Sequence, residues 1–229
     1  MSADPEMIWR NDNWNKFNIV SFSDAHSFWP WRMGREATLF DCELKYKEIL
    51  NAFRRGKGLN STIEVDPNYG KYHFDGHRNC KVVLNPEESL KLDNKCPKCG
   101  NKLTIGVLQR VENLSNHPTG YQPRNVKPFR KLLPLHEVIA AVYGISQMSS
   151  VKVNGVYNEL IKSFGNEFNV LLKVDEDGLK KVVHEKIAKI ILMNRQGQLK
   201  VKPGYDGVYG QVLLNEDERI LSQKKLIEF

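Results

Sequence analysis

His77-Arg78-Asn79-Cys80 and Cys96-Pro97-Lys98-Cys99-Gly100 are the two stretches whose residue types and spacing most directly imply chemistry. A His-x2-Cys pair and a Cys-x2-Cys pair supply four soft or borderline donors, and each pair is short enough to sit on one turn. Four such donors at roughly 2.0–2.3 Å satisfy tetrahedral zinc, and a shell closed by protein ligands is the mark of a structural site. Pro97 and Gly100 suit the turn, because proline presets one backbone angle and glycine frees another. The plainer alternative makes these cysteines small core residues, but paired spacing of this kind is a pattern of metal ligation. The expectation is a zinc-ribbon-like knuckle ligated by His77, Cys80, Cys96 and Cys99.

A second candidate is Asp24-Ala25-His26, placed by the apolar run Phe17–Phe22 at the end of a predicted buried strand. Two residues apart in an extended segment, both side chains point the same way. A carboxylate and an imidazole so placed could bind a divalent metal or act on a metal-bound water. The alternative is a capping aspartate and a hydrogen-bonded histidine in the turn after the strand. A third candidate is charge. The net charge of +7 points to an anionic partner, most simply nucleic acid, and Arg124, Lys127, Arg130 and Lys131 in one loop are the candidate DNA contacts. A solvated basic surface is the alternative there.

These residues need elements to hold them. After the predicted strand, Asp41 is expected to cap a helix carrying Tyr46, Ile49, Leu50 and Phe53, with Glu43 and Lys47 paired on its outer face. Short strands follow at Thr62–Val65, Lys71–Phe74 and Lys81–Leu84, and a helix begins within Leu103–Leu114. Residues 116–131, with Pro118, Gly120, Pro123 and Pro128, read as a connecting loop. Three helices come next: one from Pro134 to Gly144, one over Val156–Phe164, and one capped by Asp177 with Leu179, Val182, Val183, Ile187, Ile190 and Ile191 inward. The Gly-punctuated stretch Pro203–Gly210 lacks phosphate-loop spacing and reads as a structural turn.

Three of the four cysteines lie in the knuckle, leaving Cys42 alone. That argues against a secreted disulfide framework and for a reducing cytoplasm. No apolar run approaches the roughly 20 residues that span a bilayer, so no membrane partner is expected.

Taken together, Ser23-Asp24-Ala25-His26-Ser27, Gly34-Arg35-Glu36-Ala37, Leu39–Leu44, Lys71–Arg78, Cys96–Gly100, Leu103–Leu108, Gly120-Tyr121, Pro134-Leu135 and Pro203–Gly207 resemble the endonuclease Q branch of the PHP phosphoesterase superfamily. The resemblance runs over essentially the whole chain in linked order. It implies an α+β multi-domain protein. Residues 1–57 would be the C-terminal strand and helix of a PHP (β/α) barrel, 58–115 a zinc-binding domain and 116–229 a small, mainly helical C-terminal domain. It also implies cleavage of DNA 5′ of deaminated bases or abasic sites, with Asp24 and His26 as catalytic metal ligands and Asp24 close to the attacked phosphate.

The chain departs from the family pattern in one respect. PHP sites begin with an upstream His-x-His, and no two of His26, His73, His77, His117, His136 and His184 make that motif. The expectation is therefore the C-terminal half of an endonuclease Q-like protein, truncated, split or degenerate. Its structural Zn2+ would be in place, while catalytic Zn2+, Mg2+ or Mn2+ would bind only when a missing N-terminal PHP half on another chain completes the site. The competing expectation is a non-catalytic zinc-containing nucleic-acid-binding module or an interaction subunit.

Overall fold

The computed structural model describes residues 3–215 and Arg219. The chain forms two compact units, one of residues 1–131 with 201–211, the other of residues 132–200 with 212–229. Both contain mixed local structure, and the whole is an α+β protein of short strands and helices.

In the first unit, α1 (Pro5–Trp9) starts where the Asp4 side chain accepts the Met7 N–H, with Pro5 preset at the first helical position. Then come β1 (Ala37–Phe40), α2 (Tyr46–Arg55), β2 (Leu59–Glu64), β3 (Asp75–His77), β4 (Val82–Leu84), α3 (Pro86–Lys91), α4 (Val107–Leu114) and β5 (Phe129–Lys131). The three-stranded sheet has the order β1-β2-β5, with β2 antiparallel to β1 and parallel to β5. As the middle strand, β2 buries Leu59, Thr62, Ile63 and Glu64. A parallel neighbour needs a long crossover; here the crossover is the stretch between β2 and β5 that carries the Cys/His knuckle and α4. The N-terminal segment is fastened to α4 by a bidentate pair, Arg10 to the two Glu112 carboxylate oxygens at 2.7 and 2.6 Å. Asn11 adds a bond to the Leu114 carbonyl.

Several local expectations change. Phe17–Phe22 is irregular, with Phe17 64% and Phe22 55% exposed. Side chains hold it where a ladder was expected: Ser21 N–H donates to Thr38 Oγ1, Thr38 Oγ1 donates back to the Ser21 carbonyl, and Asn18 donates to the Phe53 carbonyl. Side-chain bonds to backbone groups, from Thr38 to Ser21 and from Asn18 to Phe53, thus stand in place of strand pairing. Asp41 accepts from Asn60 and does not cap α2, whose N-cap is Lys45 without a side-chain bond. Glu43 pairs with Lys45 in place of Lys47. Lys71–His73 is turn, and the strand starts at Asp75. The loop 116–131 ends in a strand, β5.

The second unit is built on α5 (Leu135–Tyr143), with α6 (Val151–Phe164), α7 (Glu167–Leu172), α8 (Glu176–Lys180) and α9 (Glu185–Arg195). Helix α5 buries Leu135, Val138, Ile139, Ala140 and Val142, packs on α6 and α9, and stops at Gly144 in the left-handed region. The expected single third helix is two, with α8 capped by Asp175 in place of Asp177. His184 restarts the chain by accepting the Lys186 N–H. Asn194 makes paired bonds to the Leu133 backbone, both 2.9 Å. Arg195 donates to the carbonyls of Val170, Leu171 and Val174, satisfying the end of α7. Strands β6 (Lys200–Lys202) and β7 (Gln211–Leu213) form a separate two-stranded sheet.

Candidate functional site

The first ligand pair sits on the β3–β4 hairpin. His77 closes β3, a 3-10 turn carries Arg78–Cys80, and Lys81 takes a left-handed angle (φ 53°) that turns the chain into β4. The second pair sits on a similar loop, where Lys95 bridges Lys102, Cys96 N–H bonds the Asn101 carbonyl and Gly100 N–H returns to the Cys96 carbonyl with φ 74°. Val82 and Leu103 pack with Cys96 beneath the two turns, and Cys80 and Leu84 lie against that cluster.

One donor atom from each of His77, Cys80, Cys96 and Cys99 falls within 4.8 Å of every other, and this is the one such group of metal donors among the described residues. Tetrahedral zinc with thiolate bonds near 2.3 Å needs donor atoms about 3.8 Å apart, so the group fits the ion. His73 is not part of it; that ring is buried, and burial pulls its pKa below the ordinary histidine value. The electrostatics also suit a metal. Burial would push the Cys96 thiol up, but the N–H groups of Lys98 and Cys99, with the His77 ring and the Cys99 side chain, outweigh it and hold it at about 6. Cys80, in contact with Cys99 and Cys96, is pushed up to about 11 by the crowding of thiols. A divalent ion held by the four donors would supply the charge that lets all three thiols ionise together.

Asp24 and His26 lie on an irregular loop, both exposed, lining an open cavity of about 560 Å³ with Phe22, Ser23, Arg32, Arg35, Glu36 and Tyr209 among its walls. Asp24 has φ 46°, so the segment is not extended and the two side chains do not share a face by strand alternation. The loop is anchored by Ser23, whose hydroxyl donates to the Glu36 carbonyl. Beneath it Ser21 donates to the buried carboxylate of Glu64, whose pKa is raised by burial. His26 Nδ1 is 2.7 Å from the Asp24 carbonyl oxygen. A carbonyl only accepts, so Nδ1 is the donor, and Nε2 is the ring nitrogen that a metal would take. No third His, Cys, Asp or Glu joins these two in a metal-holding group among the described residues.

Of the basic loop, Arg124, Lys127 and Arg130 are exposed. The Lys131 ammonium is held by Asp4 at 2.8 Å and Glu6 at 2.9 Å. Sequence reasoning missed Arg35 and Tyr209 as neighbours of Asp24 and His26. Arg35 has no spacing that ties it to Asp24 or His26, and Tyr209 is distant in sequence.

With the knuckle and the Asp24–His26 cavity described, comparison with known proteins shows that the chain is similar to endonuclease Q over nearly all of its length. The crystal structure of the lesion-specific endonuclease PfuEndoQ from Pyrococcus furiosus superposes with a TM-score of 0.83 and 31% identity over 95% of this chain and 54% of that one. A second crystal structure, endonuclease Q with a 27-mer duplex substrate bearing an abasic lesion at its active site, gives a TM-score of 0.82 and 30% identity over 99% of this chain and 57% of that one. In sequence, the chain is 34% identical to the uncharacterized protein MJ0043 of Methanocaldococcus jannaschii over 93% of its own length and 27% of that protein's. It is 27% identical to the uncharacterized protein YqxK of Bacillus subtilis, covering 93% of this chain and 51% of that one. The family described as the MJ0043 C-terminal domain matches residues 134–198, within the second unit. The chain thus spans about half the length of the solved endonucleases it matches, and less of MJ0043. No described helix is long and apolar enough to cross a membrane.

Proposed function

We propose that the chain is part of a metal-dependent DNA repair endonuclease of the endonuclease Q type, cutting 5′ of deaminated bases or at abasic sites, and that Asp24 and His26 form only part of its reaction centre. The observation that carries this is their position on the wall of one open cavity, in a chain similar to endonuclease Q over 95% of its length. The remaining ligands, including the His-x-His of PHP enzymes, would come from polypeptide beyond these 229 residues. Phe22, Phe28, Met33, Leu44 and Tyr46 are exposed apolar side chains that such a polypeptide could cover.

The catalytic metals, when bound, would supply hydroxide and neutralise charge on the attacked phosphate. His26 would offer Nε2 to a metal because the Asp24 carbonyl holds its other nitrogen protonated. Asp24 would place a second ligand oxygen on the same loop, and Arg32 and Arg35 would face the phosphate charge across the cavity. The knuckle would hold the β3–β4 hairpin rigid and take no part in the reaction. Two ligands cannot fix the coordination that phosphodiester hydrolysis requires, so the isolated chain is expected not to nick DNA. The test is incubation of the purified chain with uracil-, hypoxanthine- and abasic-site duplexes in magnesium, manganese or zinc. Nicking by the isolated chain, whether or not Asp24→Asn abolishes it, would defeat the reading.

A further inference from the structure

The segment Pro203-Gly204-Tyr205-Asp206-Gly207-Val208-Tyr209-Gly210 has no part in the metal chemistry, yet it is closely fitted into the first unit. Gly204 N–H bonds the Asn68 carbonyl, Phe74 N–H bonds the Gly204 carbonyl, Gly207 N–H bonds the Lys71 carbonyl and Gly210 N–H bonds the Tyr69 carbonyl. A Cβ at Gly204 would lie 2.4 Å from the Gly70 oxygen, and one at Gly210 would lie 2.2 Å from the Asn68 oxygen, so neither position accepts a side chain. Asp206 accepts from the Arg78 N–H at 2.6 Å and from Thr104 Oγ1 at 2.7 Å. Burial would raise its pKa, but those donors prevail and keep it below the ordinary carboxylate value. The glycine N–H groups are spent on carbonyls and the carboxylate is engaged, so this loop does not cradle a phosphate.

What the loop does is hold Tyr209 in the open. Tyr209 is 52% exposed, although its neighbours in the chain are locked, and it forms part of the wall of the Asp24–His26 cavity. The Lys71 ammonium lies 5.9 Å from the Tyr209 ring centroid and 5.5 Å from that of Tyr72, itself 46% exposed. The Arg78 guanidinium and the Tyr72 hydroxyl come over Gly207. Two exposed aromatic rings around one ammonium, with a guanidinium alongside, match the chemistry of an unpaired base and its phosphates. Bases stack on aromatic faces and phosphates pair with cations. A paired base inside a duplex offers no free face, so the occupant is a single strand or an extruded nucleotide.

We propose that Tyr209 is a base-stacking residue. It seats an unpaired nucleobase at the edge of the cavity while Lys71 and Arg78 hold the adjoining phosphates, and Tyr72 extends the platform. This deepens the endonuclease reading, since it assumes that DNA is what the cavity receives, but it is tested by binding alone.

The experiment is fluorescence anisotropy of the full 229-residue chain with labelled single-stranded and matched duplex DNA, with no divalent metal added, so that cleavage plays no part. Tyr209→Ala is expected to weaken single-strand binding roughly tenfold, while Tyr209→Phe and Tyr209→Trp retain it, because stacking needs the ring and not the hydroxyl. Lys71→Gln and Arg78→Gln should each flatten the log–log salt dependence by about 0.7. Equal losses in Tyr209→Ala, Tyr209→Phe and Tyr209→Trp would assign the residue a purely structural role and overturn the proposal. So would an unchanged single-strand affinity in Tyr209→Ala while the parent binds. A parent chain that binds neither form of DNA would overturn the DNA reading as well.

Discussion

Cys99 Sγ lies 3.3 Å from His77 Nδ1, although 22 residues separate them in the chain. The contact joins the β3–β4 hairpin to the Lys95–Lys102 loop, and little else of the cluster is apolar beyond Val82, Leu103 and Leu84. A core that small does not hold two hairpins by burial, so the bound ion would supply much of the folding free energy.

Cys80→Ser is therefore expected to lose the metal and unfold the knuckle, whereas His73→Ala should keep one equivalent of zinc, since His73 is not among the four donors. Elemental analysis of the purified variants decides it; stoichiometric zinc in Cys80→Ser would mean that the donor set is wrong.

The Arg10–Glu112 pair gives a prediction for the first unit alone, because all four tryptophans, Trp9, Trp14, Trp29 and Trp31, lie in it. Arg10 is nearly buried and Glu112 partly so, and Arg10 also donates to the His117 carbonyl. Removing the guanidinium leaves acceptors unpaired, so Arg10→Met should destabilise this unit by about 2 kcal/mol. The check is the denaturant midpoint of tryptophan fluorescence; an unchanged midpoint would show the pair to be without weight.

In the second unit His136 is packed against Tyr157 at 3.8 Å between ring centroids and bonded to Asn154, and burial pulls its pKa down to about 4. Between roughly pH 6.5 and 4 the unfolded chain binds a proton there that the folded unit does not. Stability from this group is thus full above about 6.5 and falls as pH falls, by roughly 2 kcal/mol after allowing for solvent screening. Glu167, whose pKa is raised by burial, contributes with the opposite sign. Comparing the parent with His136→Gln by far-ultraviolet circular dichroism at pH 7 and pH 4.5 isolates the histidine. The variant should lose less stability on acidification, and equal losses would contradict the assignment.

The basic loop should divide into two behaviours. Reversing Arg124, Lys127 and Arg130 to Glu is expected to weaken DNA binding and reduce its salt slope without affecting the fold. Lys131→Glu is expected to lower stability, because it opposes Asp4 and Glu6, the carboxylates that now hold the ammonium. Thermal melts beside salt titrations separate the two; an unaltered melt for Lys131→Glu would contradict this division.

The sequence exposed those features whose determinants are local. Each half of the knuckle is a pair three residues apart, and α5 is bracketed by Pro134 and Gly144, so both were legible. Strand β5 was not, because its three residues follow a proline-rich loop and pair only with β2, far away in sequence. The break between α8 and α9 was hidden because Leu179, Val183, Ile187 and Ile190 keep a helical period through it, while the capping His184 gives no apolar signal. At Asp24 the apolar run suggested a strand, and the Thr38 hydroxyl, bonded to both the N–H and the carbonyl of Ser21, decided otherwise.

The central claim, that Asp24 and His26 act in strand cleavage only within a completed site, is tested most directly by reconstitution. The 229-residue chain would be mixed or co-expressed with a PHP polypeptide that carries the His-x-His, and nicking of a uracil-containing duplex followed with manganese supplied. We expect no nicking by either polypeptide alone, nicking by the pair, and its loss when Asp24→Asn replaces the parent at unchanged zinc content. Robust cleavage by the 229-residue chain alone, abolished in Asp24→Asn, would contradict the account and place a self-sufficient reaction centre on this chain.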